Sequence, residues 1–295
     1  MDDKIRTIRD IHNAFDQNLL WLKERCGIAS ETRFDKLLRT LKELSSKFEE
    51  DGRRLDQEVD IRTIFYSGQE GKSFISICDS LRRINESHFP QRKCREMFRG
   101  PLFPDEEMAD DGESIQGRNY QFEFELMGFL EKKGLQILNF EDVTVQFRDV
   151  AISLQCKRPR KAHGVRSAFK GACEQLVKKN LAQEQNYGIA AVSLEVAYNH
   201  NKTYFHGGEF SDVFSKLKEY HEELDKLCNT STLTNISQRI LGLIYVFRFM
   251  YWDNTHNELE PGFIIYTSPT YATLNHVRNK KLFDDFVHVI SKEQA

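Results

Sequence analysis

The chain has 295 residues, of which 40% are hydrophobic and 29% are charged, as in a globular protein rather than a collagen-like or wholly disordered chain. This length exceeds the usual single domain of ~150 residues, so we expect one large domain or a core with an additional part. The longest uninterrupted apolar stretch, Ile240–Phe247, is far shorter than the ~20 residues that a membrane-spanning helix needs. We therefore expect no transmembrane helix and no membrane as a partner.

The cysteines and the N-terminus indicate the cellular compartment. The six cysteines are scattered and include no C-x-x-C pair, which is typical neither of a disulfide scaffold nor of a zinc ribbon. The N-terminus, MDDKIRTIRD, is acidic and amphipathic and does not resemble an export signal. We therefore expect a reduced, cytoplasmic protein.

The first third of the chain has apolar residues at helical spacing. The first stripe comprises Ile5, Ile8, Phe15, Leu19 and Leu22. The second stripe, which follows a candidate helix cap at Ser30, comprises Phe34, Leu37, Leu38, Leu41, Leu44 and Phe48. A third, shorter stripe comprises Phe74, Ile77, Cys78, Leu81 and Ile84. These stripes predict a helical N-terminal domain over residues 1–103.

The segment 104–116 differs from its surroundings in charge. It holds six acidic residues and no basic residue, a composition that favours a linker or boundary loop. A second domain, residues 117–295, follows this acidic linker.

The second domain alternates between helical and strand patterns. A helix over Asn119–Lys133 is expected to end at Gly134. Strand-like runs comprise Leu135–Phe140, Val143–Phe147, Val150–Cys156, Tyr187–Tyr198, Leu241–Met250 and Phe263–Thr267. Further helices are expected at Val165–Leu181, Asp212–Leu227 and Tyr271–Ile290. This order predicts an α/β fold in which a sheet has helices on both faces.

The pair Arg148-Asp149 is placed to turn a hairpin, which would bring Asp142 and Gln155 close together at its open end. Gln155 and Lys157 would share one face of their strand, while Cys156 faces the other way. The oxygens of Asp142, of the Gln155 side chain and of the Cys156 carbonyl suit Mg²⁺ or Mn²⁺. Lys157 could then orient or deprotonate the attacking water in phosphodiester hydrolysis and stabilise the developing charge.

These spacings resemble a known nuclease pattern. Glu123 lies eleven residues before Gly134, Asp142 lies thirteen before Gln155, and Gln155-Cys156-Lys157 ends a strand. The set resembles the PD-(D/E)xK superfamily, and most closely its archaeal Holliday-junction-resolvase and Mrr-like branches. The resemblance covers roughly residues 119–181. It implies a restriction-endonuclease-like mixed sheet with flanking helices and a metal-dependent nuclease activity.

The same resemblance implies roles for two further side chains. Glu123 would support the metal directly or through a water, and Gln175 occupies the following helix, where related branches often carry a glutamine. Glu125 competes with Glu123, but the two side chains are about 200° apart on a helix, so only one can face the site. The spacing to Gly134 favours Glu123.

Two positions depart from the family pattern. Glu141 replaces the usual proline before the acid, and the amide of Gln155 replaces the usual second carboxylate. A neutral ligand lowers the negative charge of the site and should weaken Mg²⁺ binding. The departure at Gln155 leaves the rate of turnover open.

A basic segment follows the candidate site. Residues 157–179 contain eight basic residues against one acid, Glu174, although the whole chain has a net charge of −3. The expected substrate is DNA. We expect its phosphate backbone to contact Arg158, Arg160, Lys161, Arg166, Lys170 and Gln175.

Two alternatives to a nuclease stay open. The domain could bind nucleic acid without cutting it, or the chain could be a protein-interaction factor with the α/β domain as its scaffold. The N-terminal helices could contact DNA, a protein partner or a second copy of the chain. A nucleotide-binding P-loop is not expected, because Gly68–Ser73 lacks the glycine that the motif needs at Tyr66.

Overall fold

The structure is a computed structural model that describes residues 7–50, 60–103, 106, 115–140, 143–179, 186–198, 215, 218–219, 237–253 and 258–291. The chain divides into two compact units. Unit 1 comprises Met1–Gln121, Asn201–Ser215 and Arg248–Gly262, and unit 2 comprises Phe122–His200, Lys216–Phe247 and Phe263–Ala295. Most of the predicted linker 104–116 lies outside the described residues, so the domain limits drawn from it stay a prediction.

Unit 1 is helical in its N-terminal part, as predicted. Its helices are α1 (Ile8–Cys26), α2 (Arg33–Glu50), α3 (Ile61–Leu81) and α4 (Gln91–Met97), with a 3₁₀ turn at Glu86–His88. The Thr7 hydroxyl and the Asp10 carboxylate cap the start of α1 reciprocally. The predicted cap at Ser30 is wrong, because α2 begins later and Thr32 and Asp35 exchange the capping hydrogen bonds.

The core of unit 1 is built from the predicted apolar stripes. The rings of Phe15, Phe34, Phe74 and Phe98 form one cluster, in which the Phe34 and Phe74 centroids are 4.4 Å apart. All four side chains are buried. Aromatic burial on this scale holds three helices and the residue after α4 around one centre.

Unit 2 contains a mixed sheet. Helix α5 (Gln116–Lys132) begins in unit 1 and continues into unit 2. The strands are β1 (Gln136–Asn139), β2 (Thr144–Phe147), β3 (Val150–Lys157), β4 (Asn186–Ser193), β5 (Ile240–Asp253) and β6 (Glu258–Pro269). The end of β5, from Arg248, and the start of β6, up to Gly262, belong to unit 1. They lie in the order β1-β2-β3-β4-β5-β6, with β1, β2 and β3 antiparallel and β3, β4 and β5 parallel. The helices after β3 are α6 (Val165–Lys179), α7 (Glu195–Tyr198), α8 (Tyr271–Leu274) and α9 (Val277–Ser291).

Helices pack on the sheet through glycine positions. A Cβ at Gly188 of β4 would lie 3.1 Å from the Leu176 side chain of α6. A Cβ at Gly242 of β5 would collide with the Phe283 ring of α9 and would lie 2.7 Å from the Ser268 carbonyl oxygen. The sheet with flanking helices is therefore the α/β architecture that the sequence predicts.

Several element boundaries differ from the sequence-based expectation. Gly134 ends α5 with a left-handed φ of 81°, as predicted. Strand β4 stops at Ser193, because Glu195 starts α7. The expected C-terminal helix is divided into α8 and α9, and the His276 ring accepts a hydrogen bond from the Asn279 N–H at the start of α9. Most of the expected helix Asp212–Leu227 lies outside the described residues.

Candidate functional site

The hairpin of β2 and β3 has the predicted turn. Phe147 pairs with Val150 across Arg148-Asp149, and Thr144 pairs with Ser153. Arg148 takes a positive φ of 56°, as residues in tight hairpin turns often do. The Leu154 N–H donates to the Val143 carbonyl at 2.7 Å, so the ladder reaches the first described residue before β2.

Strand β3 presents Gln155 and Lys157 on one face. Both side chains are partly exposed, whereas Cys156 between them is buried. On the neighbouring parallel strand, Gln155 pairs with Ala190 and Lys157 with Val192. The predicted alternation along the strand is therefore confirmed, and the two polar side chains leave the sheet at its carboxyl edge.

Lys157 and Gln175 are brought into direct contact. The Lys157 ammonium donates to the Gln175 Oε1 at 2.7 Å. Gln175 lies on α6, eighteen residues further along the chain. This contact joins the end of β3 to the helix that packs on β3 and β4. It holds the lysine head group at the carboxyl edge of the sheet.

Arg158 does not lie on a nucleic-acid-facing surface, which corrects the prediction for this residue. Its guanidinium is 3% exposed and forms an ion pair with the Glu195 carboxylate at 3.3 Å. Glu195 follows β4, and its side chain is 2% exposed. A buried arginine needs such a partner, because an uncompensated charge in the interior is strongly unfavourable. Sequence reasoning missed Glu195, since no local pattern connects it to residue 158.

The other predicted phosphate-binding cations are accessible. Lys161, Arg166 and Lys170 are exposed, and Arg160 is partly exposed. Arg160 and Lys161 lie before a 3₁₀ turn at Ala162–Gly164, and Arg166 and Lys170 follow it on α6. The Lys170 ammonium lies 4.0 Å from the Glu174 carboxylate on the same exposed helix face.

The three acidic residues considered for the site are Asp142, Glu123 and Glu125. Asp142 lies outside the described residues. Glu123 and Glu125 on α5 are both partly exposed, so exposure does not choose between them. Within the described ranges, no three His, Cys, Asp or Glu side chains form a group that could hold a metal ion. A metal at this edge would therefore depend on carbonyl and amide oxygens together with Asp142.

Cys173 of α6 is not a nucleophile. Burial, and then the neighbouring Glu174 carboxylate, raise the pKa of its thiol to about 12. The group stays protonated at neutral pH, and a thiol is a weak nucleophile compared with a thiolate. Its position fits that of an apolar side chain in the interface between α6 and the sheet.

Unit 1 contains a second polar centre, which sequence reasoning also missed. The Glu70 carboxylate accepts hydrogen bonds from Arg118, from Gln121 at 2.8 Å and from Arg248 at 2.9 Å. Arg33 donates to the Gln121 Oε1 at 2.6 Å. Burial opposes ionisation of Glu70, but the Arg118 and Arg248 guanidinium groups hold its pKa well below the usual range.

This centre is structural in character. The side chains of Glu70 and Arg118 are each 1% exposed, so a substrate cannot reach them without a conformational change. The P-loop-like segment Gly68–Ser73 forms part of helix α3, in agreement with its rejection from the sequence. Glu70, in the middle of this helix, thus pairs with buried arginines and does not belong to a phosphate-binding loop.

Comparison of the chain with family models, with curated proteins and with solved structures gave no match. None of the helices in the described part of the chain combines the length and apolar character needed to cross a membrane.

Proposed function

We propose that this chain is a metal-dependent nuclease with a restriction-endonuclease-like domain, and that it hydrolyses phosphodiester bonds in DNA. The observation that carries the proposal is the 2.7 Å hydrogen bond between Lys157 and Gln175. It fixes a partly exposed ammonium at the carboxyl edge of a mixed sheet. Exposed cations on the following loop and helix lie nearby in sequence.

Lys157 is the residue that acts on the attacking water. Its ammonium can stabilise the negative charge that develops on the non-bridging phosphate oxygens. Its neutral amine can accept the proton of the attacking water. The acceptor oxygen of Gln175 orients the Nζ atom without adding charge. Gln155, on the same face of β3, points an amide toward the same edge of the sheet.

The donor chemistry around Gln155 suits a hard divalent cation. The Gln155 side-chain oxygen, the Cys156 carbonyl and the Asp142 carboxylate would hold Mg²⁺ or Mn²⁺, with Glu123 in support. When bound, the cation neutralises phosphate charge and lowers the pKa of a water ligand. Asp142 would meet Gln155 if the hairpin pairing continued in the register of Thr144 with Ser153.

An alternative function is nucleic-acid binding without turnover. It is favoured by the absence, within the described residues, of any group of three metal-ligating acidic, histidine or cysteine side chains. The amide at Gln155 would weaken metal binding further. The same surface cations would then hold a nucleic acid that the domain does not cut.

The test is cleavage of supercoiled plasmid in Mg²⁺ and in Mn²⁺ by the wild type and by Lys157→Ala. We expect the wild type to nick the plasmid and the variant to lose activity by about 10²-fold or more, since it lacks the acid–base group. Lys178→Ala, an exposed lysine of the same helix as Gln175, is the matched control. Circular dichroism and thermal unfolding should show that both variants are folded.

Two results would separate the candidates. Equal nicking by Lys157→Ala and wild type would contradict the catalytic assignment. Retarded DNA in a gel-shift experiment, with no cutting by the wild type in either metal, would favour the inactive binding module instead.

A further inference from the structure

Unit 1 has an open groove of about 510 Å³ on the outer side of α1 and α2. Its apolar lining comprises Leu19, Leu20, Ile28, Ala29 and Leu38. Leu20 is the most exposed of these leucines, with 61% of its surface accessible. Leu20 is thus part of a contiguous apolar lining within a concave surface, a feature that can mark an interaction site.

Acidic and apolar side chains alternate along the wall of the groove that α1 forms. Asp16, Leu20 and Glu24 follow one another at intervals of four residues, so they form one strip on the helix, acid–leucine–acid. Both acids are exposed. The groove therefore offers an apolar centre between two carboxylates.

The basic residue of the groove is already paired. The Lys23 ammonium donates to both Asp35 oxygens, at 2.9 and 3.0 Å. Burial opposes ionisation of Asp35, but hydrogen bonds from Lys23 and from Thr32 lower its pKa below the usual value. With this pair neutral overall, the remaining lining acids, Asp16 and Glu24, make the groove negative.

The complementary surface is present on the same chain, in unit 2. Leu274 at the end of α8 is 49% exposed and Val277 at the start of α9 is 86% exposed. The segment 274–281 also contains the exposed cations Arg278, Lys280 and Lys281, and it contains no acid. Val277 and Lys281 are four residues apart on α9, which is the same spacing as Leu20 and Glu24 on α1.

We propose that the α1–α2 groove of one copy of this chain binds the start of α9 of a second copy. Val277 and Leu274 would contact Leu20 and the apolar floor, while Lys281 and its neighbours would face Asp16 and Glu24. In a two-fold dimer each copy would contribute one groove and one α9, so that both grooves are filled. This inference is independent of the nuclease proposal, because none of these residues belongs to the candidate site.

The test is self-association of the full chain, measured by sedimentation over a range of concentrations. We expect a concentration-dependent dimer. Val277→Asp and Glu24→Lys should each weaken it by about tenfold or more, because each removes a central contact of the interface. The matched controls are Val177→Asp, a valine that is 48% exposed on α6, and Glu43→Lys, an exposed acid of α2. Each control should leave the dimer unchanged within about twofold.

A charge exchange gives the decisive outcome. Glu24→Lys and Lys281→Glu should each be impaired alone, but an equimolar mixture of the two variants should recover a heterodimer, because the exchanged charges are again opposite. Circular dichroism should show that all variants are folded. A monomer at all concentrations, equal weakening by the controls, or no recovery in the mixture would each overturn the proposal. If the groove instead binds another protein, or the α9 of the same chain, the protein would be monomeric at all concentrations.

Discussion

The last residue of β3, Lys157, and the residue after it, Arg158, carry the same charge and have opposite environments. Lys157 reaches a polar, partly exposed edge and meets Gln175, whereas Arg158 turns into the interior and meets Glu195. The difference follows from the alternation of side chains along a strand. The two residues also differ in their partners' environment, because Arg158 and Glu195 form a buried ion pair while Lys157 and Gln175 form an exposed hydrogen bond.

The contact between Lys157 and Gln175 makes a prediction about pH. Gln175→Ala should lower cleavage by about 10-fold to 100-fold, because the lysine loses the partner that orients it. Gln175→Glu should restore the contact but place a carboxylate beside the ammonium. This favours the charged form and should shift the pH dependence of cleavage toward higher pH. The measurement is the initial nicking rate against pH.

The outcome of that measurement distinguishes positioning from stability. If Gln175 only stabilises the fold, both variants should change thermal unfolding and leave the pH profile where it is in the wild type. An unchanged profile in Gln175→Glu would contradict a role for this residue in orienting Lys157.

At the level of elements, helix α5 starts in close contact with backbone of the preceding segment. A Cβ at Gly117 would collide with the Arg99 carbonyl oxygen and would lie 2.5 Å from the Glu96 carbonyl oxygen. Backbone atoms cannot move aside as a flexible side chain can. Position 117 therefore requires glycine because there is no space for a Cβ, and not because the backbone has a positive φ.

Gly117→Ala should destabilise unit 1, by about 1–3 kcal/mol, the usual cost of forcing extra atoms into a packed site. Gly171→Ala is the matched control, since Gly171 is also helical but has open space around its Cβ position. Alanine there should be neutral or should stabilise by about 0.5–1 kcal/mol, because it favours the helix. Urea unfolding of the three proteins measures both effects. Equal stability of Gly117→Ala and wild type would contradict the proposed close approach.

The elements that could be predicted from the sequence are those defined by local patterns. The apolar stripes of α1 and α2, the glycine that ends α5 and the two-residue turn at Arg148-Asp149 depend on neighbours a few residues away. The proximity of Gln155 and Lys157 on one face also follows from strand periodicity. The division between α8 and α9 was missed, because helical periodicity continues across it.

Contacts between distant residues could not be predicted in the same way. Arg158 and Glu195 are 37 residues apart, and Glu70 binds Arg118 and Arg248 across still longer separations. A basic residue after Lys157 has the same local pattern whether it is exposed or buried. Only the parallel pairing of β3 with β4, which brings their carboxyl ends together, explains why Arg158 is not a surface cation.

For the whole molecule, charge segregation predicts salt-dependent DNA binding. Although the chain has a net charge of −3, residues 157–179 carry eight basic residues against one acid. Lys161→Ala, Arg166→Ala and Lys170→Ala together should reduce the slope of log K against log salt by about 0.9 for each lost phosphate contact, roughly 2.7 in total. Gel-shift titrations at several salt concentrations measure the slope.

The control for this prediction carries the same change in charge. Lys36, Lys42 and Lys47 are exposed on α2, and replacing all three with alanine should leave the slope unchanged. If both triple variants lose the same slope, binding follows net charge alone and the surface after β3 has no special part in it.

The alternation at the end of β3 makes the chain sensitive to changes in length far from any substrate. One extra residue in the hairpin, after Phe147 and before Gln155, would shift the strand by one position unless a bulge absorbed it. After an insertion, Lys157 would take the inward position beside Glu195, and Cys156 would take its place at the edge. A deletion or insertion of one residue there should thus inactivate the protein while leaving every functional side chain present.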